Sequence, residues 1–193
     1  MLIEIVITAA VALAGLAGYV AIRRRQRALV PVLSLEDTNL LPLLRLEPKV
    51  TWCKYLENIG VFGKRASEQF ARTREVAKLS FTVLKQKFKV DELTYARYEK
   101  TLIETNAVLT DNLSKMIPLL EALDQVAEEE ALEKQKLAER IENLLSSNQS
   151  LLDKLNELIT NLSDIKNLSG PDKQTTDFLV DNLKTMTDRA KLY

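Results

Sequence analysis

Four groups of residues have the types and spacing to do chemistry. Gly60-Val61-Phe62-Gly63-Lys64-Arg65 sets two glycines beside two cations, as a phosphate-cradling loop does. It lacks the GxxxxGK[ST] spacing and no strand-like run precedes it, so a phosphate loop is rejected. The acidic stretch over residues 128–142 has no histidine near it and no EF-hand spacing, which points to a solvated helix face and no metal. Lys64, Arg65, Arg72, Arg74, Lys78 and Lys85 form a basic stripe that suits an anionic lipid surface or an acidic partner. Phe70 and Phe81 lie among them, but at the spacing of a buried face, so base stacking and nucleic acid binding are not expected. Cys53 is the only cysteine, and the chain has no histidine. That removes Cys/His zinc sites, Ser-His-Asp and Cys-His nucleophile systems, and intramolecular disulfides. The expectation is a non-enzyme with no catalytic residue, metal or cofactor, in which Cys53 is a small packing residue.

With chemistry set aside, the dominant signal is the first 27 residues. Ile5–Ile22 carries no charge, and Arg23, Arg24, Arg25 and Arg27 follow at once. A helix over residues 2–22 would be about 32 Å long. That is enough to cross a hydrocarbon layer of ~30 Å. The arginines follow the span and none precedes it, which places the C-terminal side in the cytoplasm and the N-terminus outside. A cleaved signal peptide wants its positive charge before the apolar run and a small-x-small site after it, and neither is present. Ala10, Ala14 and Gly18 repeat every fourth residue, a stripe that lets two membrane helices approach closely.

Glycine and proline are scarce, five each among 193 residues, and 28% of residues are charged. Both features favour long helices. Net charge is zero, but it is segregated: +2 over residues 1–51, +6 over 52–89 and −8 over 90–193. An anionic leaflet attracts the basic part and repels the acidic one. Pairing between basic and acidic helices inside one bundle is the plainer use of the same pattern.

The helices are legible in order. Residues 23–51 form a basic, apolar connector that Pro31, Pro42 and Pro48 keep from being one helix. Ile59, Phe62, Ala66, Phe70, Ala77, Phe81, Leu84 and Phe88 then mark one helix face, with Gly60 and Gly63 favouring a bend or late start. Lys89-Val90-Asp91 reads as a turn, with Asp91 capping a second helix whose buried face holds Tyr95, Tyr98, Leu102, Leu109, Leu113 and Met116. Eight of the eleven aromatics fall between Trp52 and Tyr98, so residues 52–130 read as an aromatic-cored antiparallel hairpin, interrupted at Pro118. Over residues 131–168, Leu137, Ile141, Leu144, Asn148, Leu151, Leu155, Leu158, Leu162 and Ile165 alternate spacings of four and three. That is a heptad seam with Asn148 at an a position, where a lone asparagine sets register. It can pair with another chain or pack within this one. Ser169-Gly170-Pro171 ends that helix, and a short last helix follows with Leu179, Leu183, Met186 and Ala190 on one face.

The run Lys87-Phe88-x-x-x-Glu92-Leu93-Thr94-Tyr95-x-Arg97-Tyr98 resembles a helix–turn–helix junction of uncharacterised bacterial helical proteins, some of them membrane-anchored. The resemblance implies a bacterial source and hence the inner membrane; it implies no activity. The expected fold is therefore all-α: a single transmembrane helix, an antiparallel helical hairpin or bundle, a heptad (coiled-coil) helix and a short C-terminal helix. The expected function is a membrane-anchored scaffold that self-associates or recruits a protein partner. Membrane remodelling through the basic helix and membership of a larger membrane assembly are the alternatives.

Overall fold

The computed structural model describes residues 35–53, 55–56, 59–127, 129–164 and 171–192. Every regular element among them is a helix: α1 (Leu35–Leu44), α2 (Glu47–Cys53), α3 (Val61–Lys87), α4 (Leu93–Gln125), α5 (Ala131–Asp164) and α6 (Pro171–Ala190). No helix among the described residues is long and apolar enough to cross a membrane. The span expected over residues 1–22, with Ala10, Ala14 and Gly18, lies outside the described residues, as do Arg23, Arg24, Arg25, Arg27 and Ile165. Contacts divide the chain into Met1–Thr38 and Asn39–Tyr193. The first unit contributes only the opening residues of α1 to what is described.

Within Asn39–Tyr193, the long helices α3, α4 and α5 pack against one another pairwise. Helix α6 packs on α4 and α5, and α2 packs on α3 and α4. The hairpin, the heptad helix and the last helix expected as separate stretches thus share one unit, together with residues 39–51 of the connector. Two apolar clusters run along the axis. One holds Phe81, Phe88, Tyr95, Tyr98, Leu102, Leu155 and Leu183; the other holds Leu43, Cys53, Phe70, Leu113, Met116 and Ile141. Phe88 and Tyr98 meet edge to face, with ring centroids 5.3 Å apart, across the α3–α4 turn.

Local chemistry explains the boundaries. Gly60 precedes α3 with φ +53°, a left-handed conformation that glycine adopts without a Cβ clash. Gly63 then lets α3 approach the end of α2, since a Cβ there would stand 2.9 Å from the Cys53 carbonyl oxygen. The two glycines serve a turn and a close contact. At the next turn, Glu92 and not Asp91 takes the cap position of α4, and its Oε1 accepts a hydrogen bond from the Lys89 N–H at 3.1 Å. Helix α4 runs through Pro118 without a break, because that proline is on the exposed side and removes only one ladder bond. Pro171 opens α6, where a missing N–H costs nothing. At 20 residues α6 is longer than the short helix expected.

Candidate functional site

Helix α3 carries the basic stripe, and the bundle has already used much of it. Arg65 holds Glu142 of α5 through both guanidinium nitrogens, at 2.5 and 2.8 Å. That contact keeps the Glu142 carboxyl below its ordinary pKa. Arg72 reaches Asp153 of α5 at 2.8 Å, and Arg74 reaches Glu47 of α2 at 2.9 Å. Lys64 lies 3.8 Å from Glu68 on its own helix. Lys78 and Lys85 are exposed. The basic helix therefore meets acidic side chains of α5 and α2. All these pairs are largely solvated, so each contributes about 1 kcal/mol or less.

The heptad seam is also engaged. Leu137, Ile141, Leu144, Leu151, Leu155, Leu158 and Leu162 are buried inside the unit, and Asn148 is 0% exposed. Asn148 Nδ2 donates to the Leu109 carbonyl at 3.5 Å, and its Oδ1 accepts from Asn112 Nδ2 at 2.9 Å. A polar layer surrounds this pair between the two apolar clusters. Gln69 Nε2 donates to the Leu145 carbonyl at 2.7 Å, and the hydroxyls of Thr105 and Thr187 meet at 2.9 Å across α4 and α6. Hydrogen bonds at fixed heights set the register of α4, α5 and α6, since a slide along the axis would break them, although Gln69 Oε1 and Asn112 Oδ1 have no partner among the described residues.

The junction motif clamps α6. Tyr98 Oη donates to Asp177 at 2.7 Å, and Arg97 reaches Asp177 at 3.2 Å and Asp181 at 2.7 Å. Burial and the bond to Asp177 push the Tyr98 phenol well above its ordinary value of 10.0. Stability from the neutral phenol is thus fully present below pH 10 and is lost as pH rises through the raised folded value. Tyr98→Phe should flatten the alkaline limb of a pH–stability profile followed by circular dichroism. An unchanged limb would show that Tyr98 does not control it.

What remains open is a groove that α6 leaves uncovered. Helix α6 ends beside Glu104, whose carboxylate lies 3.7 Å from Lys191, while α4 and α5 continue beyond it. There they flank an open groove with a volume of about 850 Å³. Leu119, Leu144, Leu151 and Met186 supply apolar lining; Lys115, Arg140 and Arg189 supply cations, and no carboxylate lines it. Lys115 is held by Asp111 at 3.0 Å. Buried Asn112 also lines the cavity, and its Oδ1 has no hydrogen-bond partner among the described residues. Ser146, Ser147 and Ser150 of α5 add hydroxyl-bearing side chains to the same lining.

Sequence reasoning named Met186 and the seam leucines here but missed Asn112, Lys115, Arg140 and Arg189. One signal was available: Asn112 lies three residues from Leu109 and four from Met116, on the face whose spacing marks it as buried. Cys53 is 1% exposed within the second apolar cluster, and burial, then the charge of Glu121, push its thiol up. Among the described residues, no group of three His, Cys, Asp or Glu side chains is placed to hold a metal ion. Compared with known proteins, the chain matches no family model, no curated protein and no solved structure.

Proposed function

We propose that the chain is a non-enzymatic scaffold, held in a membrane by residues 2–22, whose helical bundle recruits a protein partner on the cytoplasmic side. The observation that carries this reading is the uncharged run Ile5–Ile22 followed directly by four arginines. Two features of the bundle support it. Trp52, Tyr55 and Val61 are exposed within ten residues of one another, and Trp and Tyr favour a membrane–water boundary. The heptad seam is buried in the chain's own core, so recruitment falls to the outer faces and the groove over α4 and α5. Recruitment is preferred to membrane bending, because Arg65, Arg72 and Arg74, which bending would need facing lipid, are paired within the bundle.

The test is extraction of the full-length protein from bacterial inner membranes. It should resist alkaline carbonate and dissolve in detergent, and a variant lacking residues 2–22 should leave the membrane with its thermal transition intact. Added protease should spare the C-terminus in intact spheroplasts and cut it after lysis. Release of the full-length chain by carbonate would overturn the anchor, and cutting before lysis would overturn the orientation.

A further inference from the structure

The corner between α2 and α3 gathers apolar and cationic side chains that the bundle does not use. A Cβ on Gly63 would stand 2.9 Å from the Cys53 carbonyl oxygen, so the end of α2 and the first turn of α3 touch there. Trp52 and Tyr55 lie within two residues of Cys53, and Val61 within two of Gly63. They are 58%, 73% and 66% exposed. Each helix adds an exposed lysine on the face of its exposed apolar residue: Lys49 three residues before Trp52, and Lys64 three residues after Val61. Among the described residues Lys49 has no ion pair, and Lys64 has a 3.8 Å contact with Glu68. Glu47, at the start of α2, is turned to Arg74. Trp and Tyr set an apolar ring and a polar tip across the boundary between water and hydrocarbon. A lysine beside them lays its stem on the apolar layer and its ammonium at the phosphate. Position in the chain favours lipid over a protein as the occupant. Trp52 comes thirty residues after Ile22, so a chain anchored through residues 2–22 keeps this corner at high local concentration near the bilayer.

We propose that the α2–α3 corner docks on the bilayer surface, with the rings of Trp52 and Tyr55 at the lipid carbonyls and Lys49 and Lys64 at the phosphates. The inference rests on the anchor proposed above and deepens it by giving the bundle a second, orienting contact. The α3–α4 turn, removed from the corner by the 27 residues of α3 or about 40 Å, then stays in water.

Trp52 is the only tryptophan, so its emission reports this corner alone. The test reconstitutes the full-length protein into phosphatidylcholine vesicles, which are floated in a density gradient. Trp52 should emit at shorter wavelength than a solvated tryptophan. Phosphatidylcholine brominated high on its acyl chains should quench it more than the same lipid brominated near the chain ends. W52F/L93W moves the reporter to the exposed start of α4, where brominated lipid should have little effect and aqueous iodide should quench strongly. K49E/K64E, at two exposed positions, should weaken the lipid quenching of Trp52. Floating protein whose Trp52 ignores brominated lipid and yields to iodide would overturn the docking and leave the anchor standing. Protein that does not float would overturn both. Equal lipid quenching at positions 52 and 93 would mean that the bundle lies flat, and it too would overturn the docking. A short-wavelength Trp52 without lipid quenching would put another protein chain on the corner in place of lipid. Unchanged quenching in K49E/K64E would remove the role given to the lysines.

Discussion

Leu155→Ala is expected to lower the stability of the bundle by about 2–5 kcal/mol, because it removes buried methyl groups and leaves a cavity that four helices cannot collapse to fill. Leu155 is 0% exposed and belongs to the cluster that draws Phe81 from α3, Leu102 from α4 and Leu183 from α6. Leu132→Ala, at a side chain 67% exposed on the same helix, should change stability by about 0.5 kcal/mol or less. Urea unfolding followed at 222 nm distinguishes the two, with the midpoint moving and the slope preserved. The loss in Leu155→Ala should also be independent of protein concentration, since the seam packs within one chain. A loss that shrinks as concentration rises would mean that Leu155 meets a second chain.

The second large effect is expected from the buried amide pair. Asn148→Leu leaves the Asn112 Nδ2 donor buried without an acceptor, at a cost of about 1–3 kcal/mol. Asn112→Leu leaves the Asn148 Oδ1 acceptor without its donor and should cost a similar amount. In the double variant both polar groups are gone, and much of the loss should return. The cycle therefore predicts a strong favourable coupling between the two leucines, readable from the four unfolding midpoints. Additive losses would show that the 2.9 Å contact carries no energy of its own. The sedimenting mass of Asn148→Leu should match that of the parent chain, because the register this residue sets is that of α5 against α4. A change in oligomer number would place Asn148 between chains.

These two experiments mark where sequence and structure part. The spacing of Leu137 to Leu162 announces a continuous apolar face, and each of those leucines is buried. The aromatic set from Phe70 to Tyr98 likewise announces the faces of α3 and α4. Such periodicity is a local property: 3.6 residues per turn lines the side chains up whatever covers them. It does not say what the covering element is. The covering follows from helix lengths and turns, and here α5 lies in the angle of the hairpin and α6 folds back over it.

Charge behaves the same way. Segregation into a +6 stretch and a −8 stretch was visible in the sequence, but the partner of each arginine was not. Arg65 and Arg72 face α5, more than seventy residues away, because a side chain pairs with whatever packing brings within a few ångströms. The capping error at Asp91 arose over a single residue: α4 begins one position later, where Glu92 reaches back to the Lys89 amide.

By itself the sequence determined that the regular elements of the described residues are helices, where the long ones run, which faces they bury, and that histidine chemistry and intramolecular disulfides are absent. These properties are set by neighbours within a turn or two. Only the tertiary structure decided that the seam closes on its own chain, that Arg65, Arg72 and Arg74 of the basic face pair with α5 and α2, and that a cation-lined groove stays open. The groove rests on the stopping point of α6, whose last turn ends beside Glu104 while α4 and α5 run on, and all three outcomes rest on packing between residues far apart in the chain.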